Sequence, residues 1–466
     1  MRQRKRETAH SDHVNPSFES GRSIILGWQS KRSAKIGFGK QLSPTTQDQN
    51  PVTYAGDSHL ITIAPTGAGK GRGVIIPNLL TYNGPVVVFD PKGENYITTA
   101  RRRREMGQQV VKLDPFGVVD GESDSFNPLD IFNLQNVDLE SDAQMLAELL
   151  SRGVTGFKEP FWDVSGSALQ SGVIAHVATM EEEKRQLSSV RDLLMADDTV
   201  YSLAVVLDTV GKTMNKMAHD EIAAFLQMPE LTRGGVLATA NSYLKSILSD
   251  RVIRTLQQSS FNLQDVVDGK PLSIYLIIPP DKLQSHRAVV KLWVGALLKA
   301  ITSRQSIPEQ KTLFMLDECG QLQHFPFLET IITLCRGYGA LCWTFWQDLA
   351  QLQHWYPTSW KTILNNCGVI QTFGINNRDM ATQWSGYLDH GPSQLRGLRS
   401  NQQVLSIHGR REQVSTLFDY LSDAPFIGRF DDNRLFRSVI QRDKLCRTAN
   451  DESLCDAESK PVSQLL

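Results

Sequence analysis

The sequence is poor in cysteine and has no long hydrophobic run. It contains six cysteines in 466 residues, and none has the Cys-x-x-Cys spacing of a metal or redox motif. We therefore expect free thiols in a reducing compartment rather than a disulfide framework. No stretch approaches the about 18 uninterrupted apolar residues that a membrane-spanning helix needs. The basic start, Met1–Arg6, is followed by polar residues and not by the apolar segment of a secretory signal. These features predict a soluble chain.

A strong charge bias is also absent, because the net charge is −1. This balance argues against a protein coated in nucleic acid, although it permits a basic channel inside a ring. One local basic run, Arg101–Arg104, either contributes to such a channel or forms the solvated face of a helix. The length exceeds what one compact core usually supports, so we expect two domains.

Short apolar runs rich in β-branched residues predict the strands of a mostly parallel sheet. They occupy residues 60–64, 85–90, 109–113, 272–278, 312–316, 340–345 and 368–373. Between residues 129 and 258 the pattern is helical instead. The predicted fold class is α/β, a doubly wound, mostly parallel sheet interrupted by an inserted all-α domain.

The same patterns divide the chain into four parts. Residues 1–54 are expected to be a polar, loosely packed leader without a transmembrane helix. The sheet-forming domain is predicted over 55–128 and 259–443, and the inserted all-α domain over 129–258. Residues 444–466 are expected to be a flexible tail.

A glycine-rich turn after the first of these strands carries the strongest chemical signal. A phosphate-binding loop needs glycines so that backbone N–H groups surround the phosphates, and a lysine for the β and γ oxygens. Two positions depart from the usual pattern: Ala64 replaces the first glycine, and Gly71 replaces the Ser or Thr whose hydroxyl holds Mg²⁺. The alternative is a glycine-rich turn that binds no nucleotide. The predicted nucleotide-binding residues are Pro65, Thr66, Gly67, Ala68, Gly69, Lys70, Gly71 and Arg72.

Two carboxylates follow the apolar run at residues 313–316. A buried parallel strand delivers them to its C-terminal edge, where open α/β sheets bind ligands. We predict that Asp317 holds Mg²⁺, commonly through water, and that Glu318 orients and deprotonates the attacking water. The alternative is a solvated strand end.

Two further polar residues flank the next predicted strand. Arg336 lies just before it and is predicted to reach the γ-phosphate of a neighbouring subunit, as an arginine finger does. Gln347 lies just after it and is predicted to sense that phosphate or the water. The alternatives are a surface salt bridge for Arg336 and a backbone-capping amide for Gln347.

Taken in order, these motifs resemble those of the type IV coupling proteins, the conjugative DNA-transfer ATPases of bacterial secretion systems. The resemblance covers about residues 55–430 and tolerates Gly71 after the lysine. It implies that the sheet-forming domain is a RecA-like P-loop nucleotide-binding domain, and that these domains form the motor of a hexameric ring. It also implies ATP sites between subunits, ATP and Mg²⁺ as cofactors, and a cytoplasmic all-helical domain that helps to recruit substrate. The motifs are Ala64–Gly71, Val74–Leu80, Phe89–Glu94, Leu113–Phe116, Ser125–Leu129, Pro160–Asp163, Leu316–Glu318, Arg336–Gly339, Gln347–Leu352 and Gln371–Gly374.

The chain departs from this family in two respects. Family members usually carry N-terminal transmembrane helices, and the sequence shows none. The open explanations are a soluble member of the family, the product of a truncated start, and a subunit tethered by a separate membrane protein. We expect a cytoplasmic protein at the inner face of the bacterial inner membrane that contacts the membrane only through partners. The segment after Asp389 follows the family pattern only loosely.

The leading functional hypothesis is an ATP-hydrolysing coupling protein that pumps DNA, possibly with bound protein, into a type IV secretion or conjugation channel. Its expected partners are DNA bound without sequence preference, a relaxase or relaxosome, channel subunits and further copies of itself. One alternative is a nucleotide-binding adaptor that recruits cargo with little or no ATP turnover. Another is a hexameric double-stranded DNA translocase outside secretion.

Overall fold

Eleven strands form a single mixed sheet in the part of the chain that the structure describes. The structure is a computed structural model, and it describes residues 21–29, 50–151 and 160–433. The strand order across the sheet is β2-β1-β11-β10-β9-β3-β8-β7-β4-β6-β5. The strands are β1 Ile24–Gln29, β2 Pro51–Tyr54, β3 His59–Ile63, β4 Val86–Phe89, β5 Gln109–Leu113, β6 Leu272–Leu276, β7 Thr312–Leu316, β8 Ala340–Trp346, β9 Cys367–Phe373, β10 Gln402–Ile407 and β11 Gln413–Thr416.

Seven neighbouring strands, from β9 to β5 in this order, are mutually parallel. They are the seven strands predicted from the apolar runs. Strands β3, β4, β6, β7 and β8 are buried along their whole length, because helices cover both faces of the sheet. The predicted fold class is confirmed.

The remaining four strands extend the sheet in antiparallel fashion, and two of them fall in the predicted leader. The expectation of a loosely packed leader is therefore wrong for β1 and β2. The physical reason is a long-range contact: Asn78, in the helix after the glycine-rich turn, accepts from the backbone N–H of Ile25 at 2.9 Å and donates to its carbonyl at 2.8 Å. The rest of the predicted leader, residues 1–20 and 30–49, and the predicted tail 444–466 lie outside the described residues.

Helices connect the strands and fill the region between β5 and β6. The α-helices are α1 Ile76–Thr81, α2 Glu94–Glu105, α3 Leu139–Leu150, α4 Pro160–Ala178, α5 Leu187–Leu194, α6 Thr199–Val210, α7 Lys216–Gln227, α8 Glu230–Leu244, α9 Asp250–Arg254, α10 Leu263–Val267, α11 Pro280–Thr302, α12 Pro326–Leu334, α13 Leu349–Trp355, α14 Trp360–Asn365, α15 Arg378–Trp384 and α16 Pro392–Arg396.

Every described element between β5 and β6 is helical, which agrees in kind with the predicted all-α insertion. The helices between β5 and β6, which we call the helical block, share a hydrophobic core with the sheet. One cluster of buried side chains contains both Phe89 of strand β4 and Phe225 of helix α7. Helix α11 joins the two parts: Trp293 is fully buried and donates its indole N–H to the carbonyl of Phe126 at 3.2 Å. The predicted domain boundaries stay predictions.

The arginine run at 101–104 lies on helix α2 and has mixed surroundings. Neither sequence interpretation holds for Arg103, whose side chain is fully buried. It donates to Ser273 Oγ at 2.8 Å and to the carbonyl of Gly84 at 2.7 Å, so it ties the helix to the sheet. Arg101 forms an ion pair with Asp431 at 2.7 Å. Arg101 and Arg103 therefore hold helix α2 against other parts of the fold.

Two features expected from composition can be examined directly. Among the residues that the structure describes, no helix is both long and apolar enough to cross a bilayer.

Cys319, Cys335, Cys342 and Cys367 are buried free thiols, and burial raises the pKa of Cys335 to about 11 and that of Cys367 to about 12. The remaining two cysteines lie outside the described residues.

Candidate functional site

Four neighbouring parallel strands end at one edge of the sheet and bring the predicted site residues there. In register, Ile63 of β3 lies beside Trp346 of β8, and Leu316 of β7 lies beside Thr344 of β8. The next strand, β4, ends at Phe89 beside Leu316. The residues that follow these strand ends are the glycine-rich loop, Gln347, Asp317 and Asp90. This shared edge is where open α/β sheets bind ligands.

The loop from Pro65 to Lys70 has the backbone that phosphate binding requires. Gly67 and Gly69 have φ angles of 79° and 96°, which residues other than glycine rarely adopt. A Cβ built on Gly67, Gly69 or Gly71 meets no atom within 4 Å, so the loop faces open space. Lys70 ends the loop, and the chain continues through a wide π-helical turn, Gly71–Ile75, into α1. This turn places a helix start beneath the loop.

Lys70 is buried at the base of the loop. Its ammonium donates to the carbonyl of Ala64 at 2.8 Å and to that of Pro65 at 3.4 Å. Burial lowers the pKa of Lys70, and the nearby negative charges of Glu318 and Asp317 oppose this shift. Residues remote in the sequence thus meet at one site, as the strand pattern predicts.

The two carboxylates after β7 differ in environment. Burial, together with the charge of Glu318, raises the pKa of Asp317 to about 6. Asp317 Oδ1 accepts from the backbone N–H of Glu318 at 2.9 Å, which fixes the first turn after the strand. Glu318 has a left-handed backbone with φ of 51°, a conformation that is costly for a residue other than glycine. A strained backbone of this kind persists only where the surrounding structure holds the residue in place.

Gln347 contacts Glu318 directly. Its side-chain N–H donates to Glu318 Oε2 at 2.9 Å, and its backbone N–H donates to Gln351 Oε1 at 3.2 Å. Gln351 in turn packs on Gly320, where a Cβ would lie 2.2 Å from the Gln351 side chain. Gln347 is therefore held against the carboxylate of Glu318 rather than against the sheet backbone.

Arg72 differs from its sequence-based role. Its guanidinium makes a two-pronged ion pair with Asp419, at 2.7 Å from Nε and 2.8 Å from Nη2. This pair ties the start of the helix to the segment after β11. A direct contact between the Arg72 side chain and nucleotide remains a prediction, and the ion pair provides a structural role that the sequence did not indicate.

Arg336 is not brought to the site of its own chain. It lies in the exposed turn Cys335–Tyr338 before β8, whereas the phosphate loop lies beyond the other end of that strand. Strand β8 has seven residues, or roughly 20 Å. The positive charge of Arg336 acts instead on His59, at the start of β3. The Arg336 side chain is therefore remote from the phosphate loop of its own chain.

Two residues at the site were not among those predicted. Asp90 is fully buried after β4, accepts from the backbone N–H of Tyr96 at 2.9 Å, and has its pKa raised to about 7, chiefly by burial. Gly374, after β9, has a φ of 70°, and a Cβ there would lie 2.7 Å from the Cβ of Ala68. Asp90 is a carboxylate that directly follows an apolar strand run, so the rule that flagged Asp317 could also have found it, whereas that rule does not apply to Gly374.

The residues present fit a magnesium nucleotide. Backbone N–H groups, a buried lysine and open space suit a triphosphate, and the oxygen ligands of Asp317 and Glu318 suit Mg²⁺. The hydroxyl that usually follows the lysine and holds Mg²⁺ is absent at Gly71.

Comparison with known proteins gives a consistent result. The family described as Type IV secretory system Conjugative DNA transfer matches residues 8–388. The conjugal transfer protein TraG of Escherichia coli is 27% identical over 355 residues, which is 72% of this chain and 55% of that protein. The type IV secretion system-coupling protein VirD4 of Bartonella henselae is 25% identical over 338 residues, 70% of this chain and 52% of that protein. The chain thus spans about half the length of these relatives.

Solved structures show the same fold. The bacterial conjugative coupling protein TrwBdeltaN70, in a trigonal form with sulphate, matches with a TM-score of 0.64 and 14% identity, over 88% of this chain and 97% of that one. The plasmid coupling protein TrwB in complex with ADP and Mg²⁺ matches with a TM-score of 0.62 and 15% identity, over 88% and 98% of the two chains.

Proposed function

The chain belongs to the type IV secretory system conjugative DNA transfer family, and we propose that it hydrolyses ATP to move DNA into a secretion or conjugation channel. The observation that carries the proposal is the meeting of Lys70, Asp317, Glu318 and Gln347 at one sheet edge. A scaffold needs no carboxylate aligned by an amide beside a phosphate loop. The motif-based resemblance and the family match agree on the same class of protein.

In the proposed reaction, the loop holds ATP and Lys70 neutralises its β and γ oxygens. The buried ammonium then exchanges the carbonyls of Ala64 and Pro65 for phosphate oxygens, which bind a cation more strongly. Asp317 would hold Mg²⁺, which supplies positive charge to the same oxygens. Electrostatic stabilisation of this kind is strong at the Lys70 ammonium, because that group is buried.

Glu318 takes a proton from the attacking water while the water oxygen forms a bond to the γ-phosphorus. The bond between the γ-phosphorus and the oxygen that bridges it to the β-phosphate breaks, and ADP leaves. Gln347 donates to Oε2 of that carboxylate, so the side chain is oriented before the nucleotide arrives. A general base must stand within hydrogen-bond reach of the proton that it removes, and this orientation favours such a position. Gln347 is thus proposed as a positioning residue that also detects the γ-phosphate.

The exposed position of Arg336, at the edge opposite to its own loop, supports action on a neighbouring subunit. We therefore propose a ring, a homo-hexamer, in which each ATP site lies between two copies. Relaxase or relaxosome components and channel subunits are the proposed partners, and the cytoplasmic face of the inner membrane is the proposed location. Contact with DNA is proposed to be independent of sequence, since it serves movement along the strand.

The proposal is tested by measuring ATP hydrolysis with and without DNA, together with the oligomeric state. We expect turnover to rise with DNA, equally for two unrelated sequences of the same length, and to accompany assembly into a ring. The stimulation is expected to weaken as salt increases. A monomer that hydrolyses ATP slowly and ignores DNA would instead identify a nucleotide-binding adaptor, the reading that the missing hydroxyl at Gly71 favours.

Subunit mixing tests the role of Arg336. Arg336→Ala is expected to lower turnover of the assembled protein by about 10³-fold or more, because an arginine finger neutralises transition-state charge. The affinity of the monomer for ATP should not change. Mixing it with Lys70→Ala subunits should restore part of the activity, since some interfaces then combine an intact loop with an intact Arg336.

The matched control for this experiment is Arg251→Ala, which removes another exposed arginine and should leave turnover intact. Absence of rescue at every mixing ratio would contradict action between subunits.

A further inference from the structure

A pocket of about 460 Å³ lies between the helical block and helix α11, apart from the phosphate loop. We call it the basic pocket, and it is lined by Ser242, Lys245, Ser246, Arg287, Lys291 and Gln323, among others. Its volume is within the range of about 300–1,000 Å³ that is usual for small-ligand sites. Helix α11 is kinked beside it, at His286, where φ is −118°.

The charges of the basic pocket are unbalanced. Its lining includes three cations, on Lys245, Arg287 and Lys291, and no carboxylate. Lys291 is 5% exposed, and its ammonium donates to the carbonyl of His324 at 2.6 Å. Burial and the charge of Arg287 lower the pKa of Lys291 to about 8. Arg287 and Lys291 are two like charges partly or largely removed from water, which is costly, and a bound anion would lower that cost. Lys245 adds an exposed third charge.

A buried hydroxyl group gives a second, independent sign of a ligand. Ser246 lines the basic pocket, is 6% exposed, and its Oγ has no hydrogen-bond partner among the described residues. Buried hydroxyl groups in proteins are normally hydrogen-bonded. Hydroxyl and cationic side chains that line one pocket form a set of groups suited to phosphate oxygens.

The basic pocket is connected to the turn that carries Glu318. Arg287 donates from Nε to the carbonyl of Gln321 at 2.8 Å and from Nη1 to Gln323 Oε1 at 2.7 Å. The backbone N–H of Gln321 donates to the carbonyl of Glu318 at 2.8 Å. Both ends of this turn are strained, because Gln323, like Glu318, has a positive φ, at 56°. Strained residues persist only where neighbouring contacts hold them, and here Arg287 provides those contacts.

We propose that the basic pocket binds a phosphate group of the nucleic-acid strand, and that Arg287 conveys its occupancy to the turn that positions Glu318. This inference rests on the proposed function for the presence of the strand, and it adds a site and a route by which that strand accelerates ATP turnover. A phosphate bound near Lys245, Ser246 and Lys291 attracts the guanidinium of Arg287. This attraction competes with the hydrogen bonds that Arg287 donates to Gln321 and Gln323.

Binding is tested with Lys245→Gln and a matched control, Lys212→Gln, which removes another exposed lysine of the helical block outside the pocket lining. The probe is a fluorescent single-stranded oligonucleotide titrated over a salt series. Lys245→Gln should weaken binding severalfold at low salt and reduce the slope of log affinity against log salt by about one, while the control changes neither. Equal behaviour of the two variants would overturn the proposal.

Acetylation of Lys245, read by mass spectrometry, identifies the source of the phosphate in the wild-type protein. The oligonucleotide should protect Lys245, whereas inorganic phosphate and ADP at the same phosphate concentration should not. Protection by phosphate or ADP alone would assign the basic pocket to a small phosphorylated ligand instead, and protection by none of the three would remove the site.

Arg287→Lys tests the connection to Glu318. This variant keeps the positive charge but cannot make both contacts of the guanidinium. Oligonucleotide affinity should stay within about twofold of wild type, because phosphate contacts depend mainly on charge. The ratio of DNA-stimulated to basal turnover should fall toward one, and an unchanged ratio would refute the route through Arg287. Absent turnover in the wild-type protein would defeat the proposed function, whereas protection of Lys245 is measured without turnover.

Discussion

Replacing Lys70 with alanine is expected to abolish ATP turnover and to weaken nucleotide binding. The ammonium is buried, is within reach of the loop carbonyls, and lies close to the carboxylates of Asp317 and Glu318. Loss of a single neutral oxyanion donor commonly lowers kcat by about 10²- to 10³-fold, and a buried cation contributes more. We therefore expect turnover to fall by at least about 10³-fold.

The effect on binding is separable from the effect on turnover. A hydrogen bond from a charged group contributes about 1.5–3 kcal/mol, so nucleotide affinity should drop by about 10- to 100-fold. Calorimetric titration with ADP and with a non-hydrolysable ATP analogue measures this loss, and the loss should be larger for the analogue because it carries the γ-phosphate.

The control for Lys70→Ala is Lys216→Ala, an exposed lysine of the helical block. Thermal unfolding of both variants establishes that the sheet remains folded. A folded Lys70→Ala protein that hydrolyses ATP at the wild-type rate would show that the glycine-rich loop is not the phosphate site.

Replacing Glu318 with glutamine is expected to separate ATP binding from hydrolysis. The amide keeps the shape of the side chain but cannot take the proton of water, and loss of a general base costs about 10²- to 10⁴-fold in rate. ATP affinity should stay near the wild-type value, since Lys70 and the loop are intact. DNA-stimulated hydrolysis and equilibrium ATP binding, measured on the same preparation, check both parts.

Gln347 complicates this substitution in an informative way. Its side-chain N–H donates to Glu318 Oε2 in the wild-type protein, and a glutamine at 318 can still accept that bond through its carbonyl oxygen. The orientation of the side chain is thus retained while the basicity is lost. Hydrolysis at the wild-type rate in Glu318→Gln would refute the assignment of Glu318 as the base.

Much of the site could be predicted from sequence because its signals are local. The β-branched runs predict the parallel strands, glycines are required where φ is positive at Gly67 and Gly69, and acids directly follow a buried strand at Asp317. Asp90 obeys the same rule, because it directly follows the buried strand β4. Parallel strands share one C-terminal edge, so these local signals also predict which residues meet.

What the sequence by itself determined is therefore the parallel sheet, the phosphate loop and the acidic strand end. The tertiary structure alone decided the partners of the long polar side chains. It pairs Arg72 with Asp419, buries Arg103 under the sheet, and separates Arg336 from its own loop. It also brings β1 to the sheet, where Asn78 bonds the backbone of Ile25, and β2 then pairs with β1. The physical reason is that hydrophobic period and backbone conformation are properties of neighbouring residues, whereas an ion pair or a buried hydrogen bond depends on which distant group the completed fold brings within about 3 Å.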